Sequence, residues 1–308
     1  NADTTLSQYG GLSVGVPGSV AGLFATLKHG RLPMEKLIQP AIDFAEKGFA
    51  ITQKEADLLN QQRRKIVENN KNKVVFVKDT EWKSGNILIQ KDLAETLKRI
   101  QKDGLKGFYE GKTAQLIVEE MKRGNGIITL QDLKNYLPSE RRPLEFDYKE
   151  HHIVTMPLPS SGGILLAQML KMSAFEHLEN YQQNSVQAVK IMTEAERRAY
   201  ADRAEYMGDP AFVPDKTALL ISDEYLKKRW NSYSAIKATP SHEVGKIIEP
   251  SKESMQTTHI SILDKEGNAA SITTTLNGYY GSKVVVSGAG FFLNNEMDDF
   301  SIKPGVPN

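Results

Sequence analysis

Hydroxyl side chains recur at alternate positions in the stretch SMQTTHISILDKEGNAASITTTLN, which runs from Ser254 to Asn277. A hydroxyl is a weak nucleophile at neutral pH and becomes reactive only beside a base. The spacing suits two short strands, because threonine is β-branched and successive side chains on a strand point to opposite faces. The stretch therefore predicts a β-hairpin whose hydroxyls share one face. That face is either the wet side of an ordinary hairpin or a site of chemistry.

The register of this hairpin follows from its turn and its apolar side chains. A turn at residues 264–268 places Ile260 and Ile262 opposite Ile272 and Ala270 on one face. A slip of one residue would move that apolar set into water, so the choice of faces is fixed. A shift of two would preserve the faces but give Thr257 a different partner. The pairs predicted for the polar face are Leu263–Ala269, Ser261–Ser271, His259–Thr273 and Thr257–Thr275.

An acidic stretch, NNEMDDF, follows the hairpin and contains Glu296, Asp298 and Asp299. It lacks the alternating Asp residues and the Gly of a calcium loop. Taken alone it is typical of a surface loop. Asn277 extends the polar face of the hairpin toward it, which favours a shared site.

Three other motifs favour structural roles. The segment GVPGSVAG lacks the Gly-Lys-Ser/Thr of a phosphate loop and the Gly-x-Gly-x-x-Gly of a dinucleotide site. His151 and His152 are adjacent on a predicted strand, so they point to opposite faces and do not easily share a metal ion. Opposite charges four residues apart, at Glu194, Arg198 and Asp202, are typical of a solvated helix face with ion pairs.

The elements that position these residues are mostly helical over the first two thirds of the chain. Apolar positions with a helical period predict helices over residues 19–29, 33–47, 52–69, 91–102 and 185–207, and a long helix capped by Ser160 or Ser161. Short strands are predicted at VVFVK near Val74, at NILIQ near Ile87, and as the pair LEFDY and HHIVTM. Residues 235–255 are predicted to form an exposed loop.

Composition limits the function classes. With 308 residues, 40% hydrophobic and 25% charged, the chain suits one large globular domain or two smaller ones. A net charge of +1 gives no electrostatic attraction to nucleic acid or an anionic membrane. The sequence has no cysteine, which excludes disulfides, thiol nucleophiles and zinc–thiolate sites. No apolar run approaches the roughly 18 residues of a membrane helix.

The hairpin motif resembles that of the γ-glutamyltransferases, also called γ-glutamyltranspeptidases, which are N-terminal nucleophile hydrolases. Their pattern reads Thr, a small residue, His, any residue, Ser or Thr, then Gly-Asn or Gly-Ser, then Thr-x-Thr, an aliphatic residue, Asn or Glu, and aromatic-Gly. Ala270 departs from the pattern, which has Val there. PLPSSGG, AERRAYADRAEYMGDP and FFLNNEMDDFSIKPGVPN are also similar to family segments. The matching residues are Thr257, Thr258, His259, Ser261, Gly267, Asn268, Thr273, Thr275, Leu276, Asn277, Tyr280 and Gly281.

The resemblance implies an α/β fold, a four-layer αββα sandwich, and self-cleavage between Gln256 and Thr257. Residues 1–256 would form a mostly helical large-subunit portion. Residues 257–308 would start a small subunit with the hairpin and the acidic loop, and the two would remain a heterodimer. Thr257 would be the nucleophile, with its freed α-amino group as base, since that group titrates at about 7.7–8.0. Thr275 would orient Thr257.

The resemblance also assigns the substrate site. Asn277, Glu296 and Asp299 would bind the α-ammonium of a γ-glutamyl donor such as glutathione, and the glutamyl group would pass to water or an amine. No cofactor and no metal are implied, and the expected location is periplasmic or extracellular. The alternatives are poly-γ-glutamate cleavage, β-lactam acylase activity, or a non-catalytic binding or scaffolding protein of the same fold.

Three family features have no counterpart in this sequence. They are an upstream Arg and a downstream Ser-Ser pair that bind the substrate carboxylate, and a downstream Gly-Gly that forms the oxyanion hole. Residues 160–163 have the similar sequence Ser-Ser-Gly-Gly, but they precede the nucleophile and are not assigned these roles. We therefore expect the chain to be a portion of a longer protein, truncated at both ends.

Overall fold

The structure is a computed structural model that describes residues 5–245 and 256–300. These residues divide into two compact units. The first contains the residues up to Ser139 together with those from Gln256 to Phe300, and the second contains Glu140 to Gly245.

The described part of the first unit contains seven α-helices, of which the first four lie in segments where apolar periodicity predicts them, whereas the three within residues 106–135 were not predicted. Thr52 and Glu55 form a reciprocal capping box, and Gly48, with a φ of 81°, ends the preceding helix. Two short strands, β1 (Phe49–Ala50) and β2 (Ile87–Leu88), pair antiparallel. The helices are α1 (Ser19–Thr26), α2 (Met34–Lys47), α3 (Gln53–Glu68), α4 (Lys91–Asp103), α5 (Lys106–Tyr109), α6 (Gly111–Arg123) and α7 (Leu130–Asn135).

The strand predicted at VVFVK is wrong. The backbone N–H of Val77 donates to the carbonyl of Val74 over 3.1 Å, which closes a turn. The carbonyl of Phe76 accepts from the indole nitrogen of Trp82 at 2.8 Å instead of from a neighbouring strand. Val74 and Phe76 are nevertheless buried. The alternation therefore reports burial of every second side chain and not strand pairing.

The described part of the second unit contains a hairpin and five α-helices. Strands β3 (Leu144–Tyr148) and β4 (His151–Thr155) pair antiparallel, as predicted. Ser161 stands at the N-cap of α8 but makes no capping bond, and its backbone is helical (φ −73°, ψ −19°) instead of extended as at a usual N-cap. Its hydroxyl accepts from Arg203 Nε at 3.0 Å. The helices are α8 (Gly162–Ala174), α9 (Val186–Tyr206), α10 (Thr217–Leu220), α11 (Asp223–Trp230) and α12 (Ser241–Val244).

The charged face predicted for α9 is buried, so the solvated interpretation is wrong. Arg198 is 0% exposed and donates to Glu194 at 2.6 Å and to the hydroxyl of Thr239 at 3.0 Å. Asp202 pairs with Arg229 at 3.0 Å instead of with Arg198. Thr239 is buried as well. The loop predicted over residues 235–255 is wrong at Ser241–Val244, which form α12. Residues 246–255 lie outside the described part of the chain.

The predicted functional hairpin belongs to the first unit. Strands β5 (Thr258–Leu263) and β6 (Ala269–Thr274) pair antiparallel, with Leu263 opposite Ala269 and His259 opposite Thr273, as predicted. Asp264 accepts the backbone N–H groups of Glu266 and Asn268, each at 2.9 Å, and so shapes the turn. Within residues 5–245 and 256–300, the strands form three separate two-stranded sheets.

The core of the first unit is built from both ends of the sequence. Val284, Val286, Ala289 and Leu293 are buried in one cluster with residues of α4, α5 and α6. No helix in the described part of the chain combines the length and apolar character of a membrane-spanning segment.

Candidate active site

The two threonines predicted to face each other across the hairpin do so. Thr257 Oγ1 donates to Thr275 Oγ1 at 3.3 Å, just outside the regular pairing of β5 with β6. This bond is long for two hydroxyls, which usually approach to about 2.7–2.8 Å. Thr275 Oγ1 also accepts the backbone N–H of Asn277 at 2.9 Å. One hydroxyl therefore joins the proposed nucleophile to the proposed substrate-binding asparagine.

His259 orders the rest of the polar face. Its Nδ1 lies 2.8 Å from the hydroxyl of Thr273, and its Nε2 lies 3.1 Å from Ser261 Oγ and 3.2 Å from Ser271 Oγ. The imidazole thus links hydroxyls from both strands. The His259–Thr273 pair is the next pair along this face after Thr257 and Thr275.

Asn277 is 6% exposed and has a backbone φ of 66°, the left-handed region that non-glycine residues seldom occupy. Its Nδ2 donates to the carbonyl of Asn295 at 3.1 Å, and Leu276 accepts the N–H of Asn295 at 3.1 Å. These bonds fasten the end of the hairpin to the acidic stretch.

The acidic stretch forms one turn of 3₁₀ helix, Glu296–Asp299. Burial raises the pKa of Glu296 to about 7, and the charge of Asp299 adds to the rise. Asp298 accepts from the hydroxyl of Ser7 at 2.5 Å, and Asp299 lies on the exposed side of the turn. The negative charge of Asp299 thus disfavours the charged form of Glu296, and a nearby cation would favour it.

Gln256, on the other side of the predicted cleavage point, is fixed through its side chain. Its Oε1 accepts the backbone N–H of Tyr279. Lys283 donates to the carbonyls of Tyr279 and of Gly281, the latter at 2.9 Å. Burial lowers the pKa of Lys283 to about 8, and the charge of Lys65 adds to the lowering. The Gln256 side chain and Lys283 therefore both bond to the loop after Asn277, which lies next to Gln256.

The structure connects four predicted residues. Hydrogen bonds join Thr257 to Thr275 and Thr275 to Asn277. Asn277 bonds to the carbonyl of Asn295, the residue that precedes Glu296. Asp299 follows at the end of the same turn. Sequence reasoning missed Asn294 and Asn295, which make the connections. The described residues contain no group of three or more His, Asp or Glu side chains placed to bind a metal ion.

The architecture is shared with solved structures of the N-terminal nucleophile hydrolase class. The crystal structure of cephalosporin acylase from Bacillus halodurans matches with a TM-score of 0.80 at 23% identity, over 97% of this chain and 55% of that one, which concerns the fold alone. The crystal structure of Helicobacter pylori gamma-glutamyltranspeptidase matches with a TM-score of 0.76 at 38% identity, over 82% of this chain and 74% of that one.

The family profile of gamma-glutamyltranspeptidase matches residues 1–308, and the chain belongs to this family. The glutathione hydrolase proenzyme of Escherichia coli is 42% identical over 313 residues, which cover 100% of this chain and 54% of that protein. The chain thus spans about half the length of the curated relatives it matches. The resemblance predicted from the hairpin motif is confirmed.

Proposed function

We propose that the protein cleaves its own chain between Gln256 and Thr257 and then hydrolyses or transfers γ-glutamyl groups from glutathione-type amides. The observation that carries the proposal is the hydrogen-bonded run from Thr257 through Thr275 to Asn277, in a chain that belongs to the gamma-glutamyltranspeptidase family. The Escherichia coli relative is a glutathione hydrolase proenzyme, which supports both parts.

Self-cleavage begins at the Thr257 hydroxyl. Its oxygen attacks the carbonyl carbon of Gln256, and the peptide nitrogen leaves as the α-amino group of Thr257. The resulting ester is hydrolysed by water, which leaves a carboxylate on Gln256. The bond from Tyr279 N–H to the Gln256 side chain restrains the residue whose main-chain carbonyl is attacked, which favours cleavage by positioning.

The same hydroxyl then acts on the substrate. The new α-amino group has an unperturbed pKa of about 7.7–8.0, so near neutral pH a useful fraction is free to take the hydroxyl proton. The oxygen attacks the γ-carbonyl, the amine leaves with a proton, and a glutamyl ester remains on Thr257. Water or an acceptor amine removes the glutamyl group. Thr275, at 3.3 Å, orients the hydroxyl.

Asn277, Glu296 and Asp299 would bind the donor's α-ammonium. An ammonium has three donors and no acceptor, and it is well matched by carboxylate and amide oxygens. Binding the amino end of the glutamyl group decides which carbonyl reaches Thr257. No cofactor is needed for these steps.

The subunit arrangement belongs to the same proposal: residues 1–256 give the large-subunit portion and residues 257–308 begin the small one. We also propose that the hairpin joins a larger sheet of a four-layer αββα sandwich. Ile260, Ile262 and Ile272 are 45–55% exposed on the described residues. A sheet that packs against a second layer needs such an apolar inner face.

The experiment is N-terminal sequencing of the whole protein after purification. A smaller band that reads Thr-Thr-His-Ile-Ser supports cleavage at Gln256–Thr257. Thr257→Ala should abolish both cleavage and turnover, and Thr257→Ser should retain part of each because it keeps the hydroxyl. Thr258→Ala is the matched control, since Thr258 faces the other side of the hairpin. A wild-type protein that turns over γ-glutamyl anilide while remaining a single chain would contradict the mechanism.

A further inference from the structure

Asn294 and Asn295 are two adjacent, buried asparagines, 7% and 5% exposed, that lie just before the acidic turn. Neither has a role in the chemistry proposed above. Together they connect three segments of the first unit that are distant in sequence: the loop at Gly15, the end of the hairpin, and the turn Glu296–Asp299.

Asn294 makes a pair of hydrogen bonds to one backbone residue. Its Oδ1 accepts the N–H of Gly15 at 2.9 Å, and its Nδ2 donates to the carbonyl of Gly15 at 2.8 Å. The same Oδ1 accepts the N–H of Glu296 at 3.1 Å. The side chain of Glu296 starts against this loop, since a Cβ on Gly15 would lie 3.6 Å from Glu296 Cβ. Asn294 therefore fixes where the Glu296 side chain begins.

Asn295 performs the corresponding task for Asn277. Its Oδ1 accepts the N–H of Gly278 at 2.8 Å, and its carbonyl accepts from Asn277 Nδ2 at 3.1 Å. Asn277 has a left-handed backbone conformation, which surrounding contacts must maintain. Bonds on both sides of the Asn277–Gly278 peptide supply those contacts.

We propose that Asn294 and Asn295 are positioning residues that set the spacing between Asn277 and Glu296 and so select donors that carry an α-ammonium. The inference rests on the proposed function. Neither asparagine touches the donor; each acts through the residue it fixes. An ammonium is bound well only if its acceptors lie in the right directions, so a displacement of either partner weakens recognition of the amine more than attack on the carbonyl.

The test compares two donors in the whole, processed protein: γ-glutamyl anilide and glutaryl anilide, which lacks only the α-amino group. Asn294→Ala should reduce the preference for the amino-bearing donor, measured as the ratio of the two kcat/KM values, by about tenfold or more, the scale expected for hydrogen bonds to a charged group. Asn295→Ala loses one side-chain bond and keeps its backbone bonds, so the ratio should fall in the same direction by a smaller factor.

Asn60→Ala is the matched control. Asn60 makes the same pair of bonds to one backbone residue, with Trp82 N–H donating to Oδ1 at 2.9 Å and Nδ2 donating to the Trp82 carbonyl at 2.9 Å. It lies in the first unit among residues that the site does not use. Its loss should lower stability or yield while leaving the ratio unchanged.

The outcomes distinguish failure of the proposed ammonium site from failure of the positioning role. Wild-type protein without a preference for the amino-bearing donor would overturn the proposed ammonium site, and the inference with it. If the wild-type preference is clear and the asparagine variants keep the same ratio while losing kcat/KM equally on both donors, the proposed function is supported. Asn294 and Asn295 would then have only a packing role. Should Asn294→Ala fail to fold, the milder Asn295→Ala decides by the same ratio.

Discussion

The chemistry proposed for Glu296 depends on a carboxyl group that is partly withdrawn from water. Burial, reinforced by Asp299, raises its pKa to about 7. Near neutral pH the group is therefore divided between its charged and neutral forms. A bound ammonium would favour the charged form, so donor binding and the loss of a proton are linked.

This linkage predicts a pH dependence of donor selection. As the pH falls through about 7, Glu296 takes up a proton and loses its attraction for the ammonium. The preference for γ-glutamyl over glutaryl anilide should therefore decline, on the order of tenfold between about pH 8 and pH 5.5. Using the ratio cancels the titration of the Thr257 amine, which affects both donors. In Glu296→Gln the ratio should be low and flat, and a slope that persists in this variant would assign the effect to another group.

Asp299 gives a second prediction for a single side chain. Asp299→Asn keeps the shape and removes the charge, so it should lower kcat/KM for γ-glutamyl anilide by about tenfold to over a hundredfold. Self-cleavage needs no bound glutamyl group and should be spared. Asp298→Asn is the control, because Asp298 is engaged with Ser7. Equal losses on γ-glutamyl and glutaryl anilide would show that Asp299 does not recognise the amine.

Among the elements, the hairpin β5–β6 holds Thr275 opposite Thr257, where the two hydroxyls bond at 3.3 Å. Thr275→Val preserves the shape and removes the hydroxyl that accepts from Asn277 N–H and from Thr257. We expect subunit formation to slow by about tenfold or more, since a backbone donor also loses its partner. The rate is measured as conversion of precursor to two bands over time.

Thr273→Val is the matched control for that change. Thr273 stands two residues earlier on the same face, and its hydroxyl bonds to His259 instead of to Thr257. Equal slowing in both variants would mean that the rate responds to the hairpin's stability and not to the Thr257–Thr275 contact.

Helix α9 supplies a prediction about stability. Arg198→Met would leave the carboxylate of Glu194, 3% exposed, without its buried partner, and removing one member of such a pair costs about 3–5 kcal/mol. Arg197→Met removes a more exposed arginine that pairs with the same Glu194 at 2.7 Å, and should cost about 1 kcal/mol or less. Urea unfolding of both variants measures the difference. Similar midpoints would show that burial of Arg198 adds nothing.

The elements differ in how far the sequence determines them. The hairpin register was predictable because its faces and its turn agree. The buried face of α9 could also have been found, since Glu194, Arg198 and Asp202 fall on the same side of a helical wheel as Ile191, Ala195 and Ala199. The turn at VVFVK depends on the Trp82 indole, which no periodicity reveals. Asn294 bonds to Gly15, 279 residues away, so only the folded chain shows its partner.

At the scale of the whole molecule, the proposed cut falls inside a unit whose core comes from both pieces. Val284, Val286 and Leu293 are buried with side chains of α4 and α6. Hydrogen bonds join the same pieces: Thr96 Oγ1 donates to the Ala289 carbonyl at 2.8 Å, and Val285 N–H donates to Asn70 at 2.8 Å. Each fully buried apolar side chain contributes about 1.5–3 kcal/mol. Severing one peptide bond leaves these contacts intact.

We therefore expect the two pieces to remain associated after cleavage. Processed protein should elute from a gel-filtration column as one species at the position of the uncleaved Thr257→Ala variant, and separate only in denaturant. Both bands should appear in the same fractions on a denaturing gel. A small piece that elutes separately in native buffer would show that the shared core does not hold the cut chain together.

The bonds from Asn295 have a consequence for the chemical ageing of the protein. Asn277 precedes Gly278, and an Asn-Gly pair deamidates when the glycine nitrogen attacks the asparagine side-chain carbonyl, one reason why asparagine is counted among the heat-labile residues. Here the Gly278 nitrogen donates to Asn295 Oδ1 and the Asn277 amide donates to the Asn295 carbonyl, so both reacting groups are restrained. We therefore expect Asn277 to deamidate more slowly in the folded protein than in the unfolded chain during long storage.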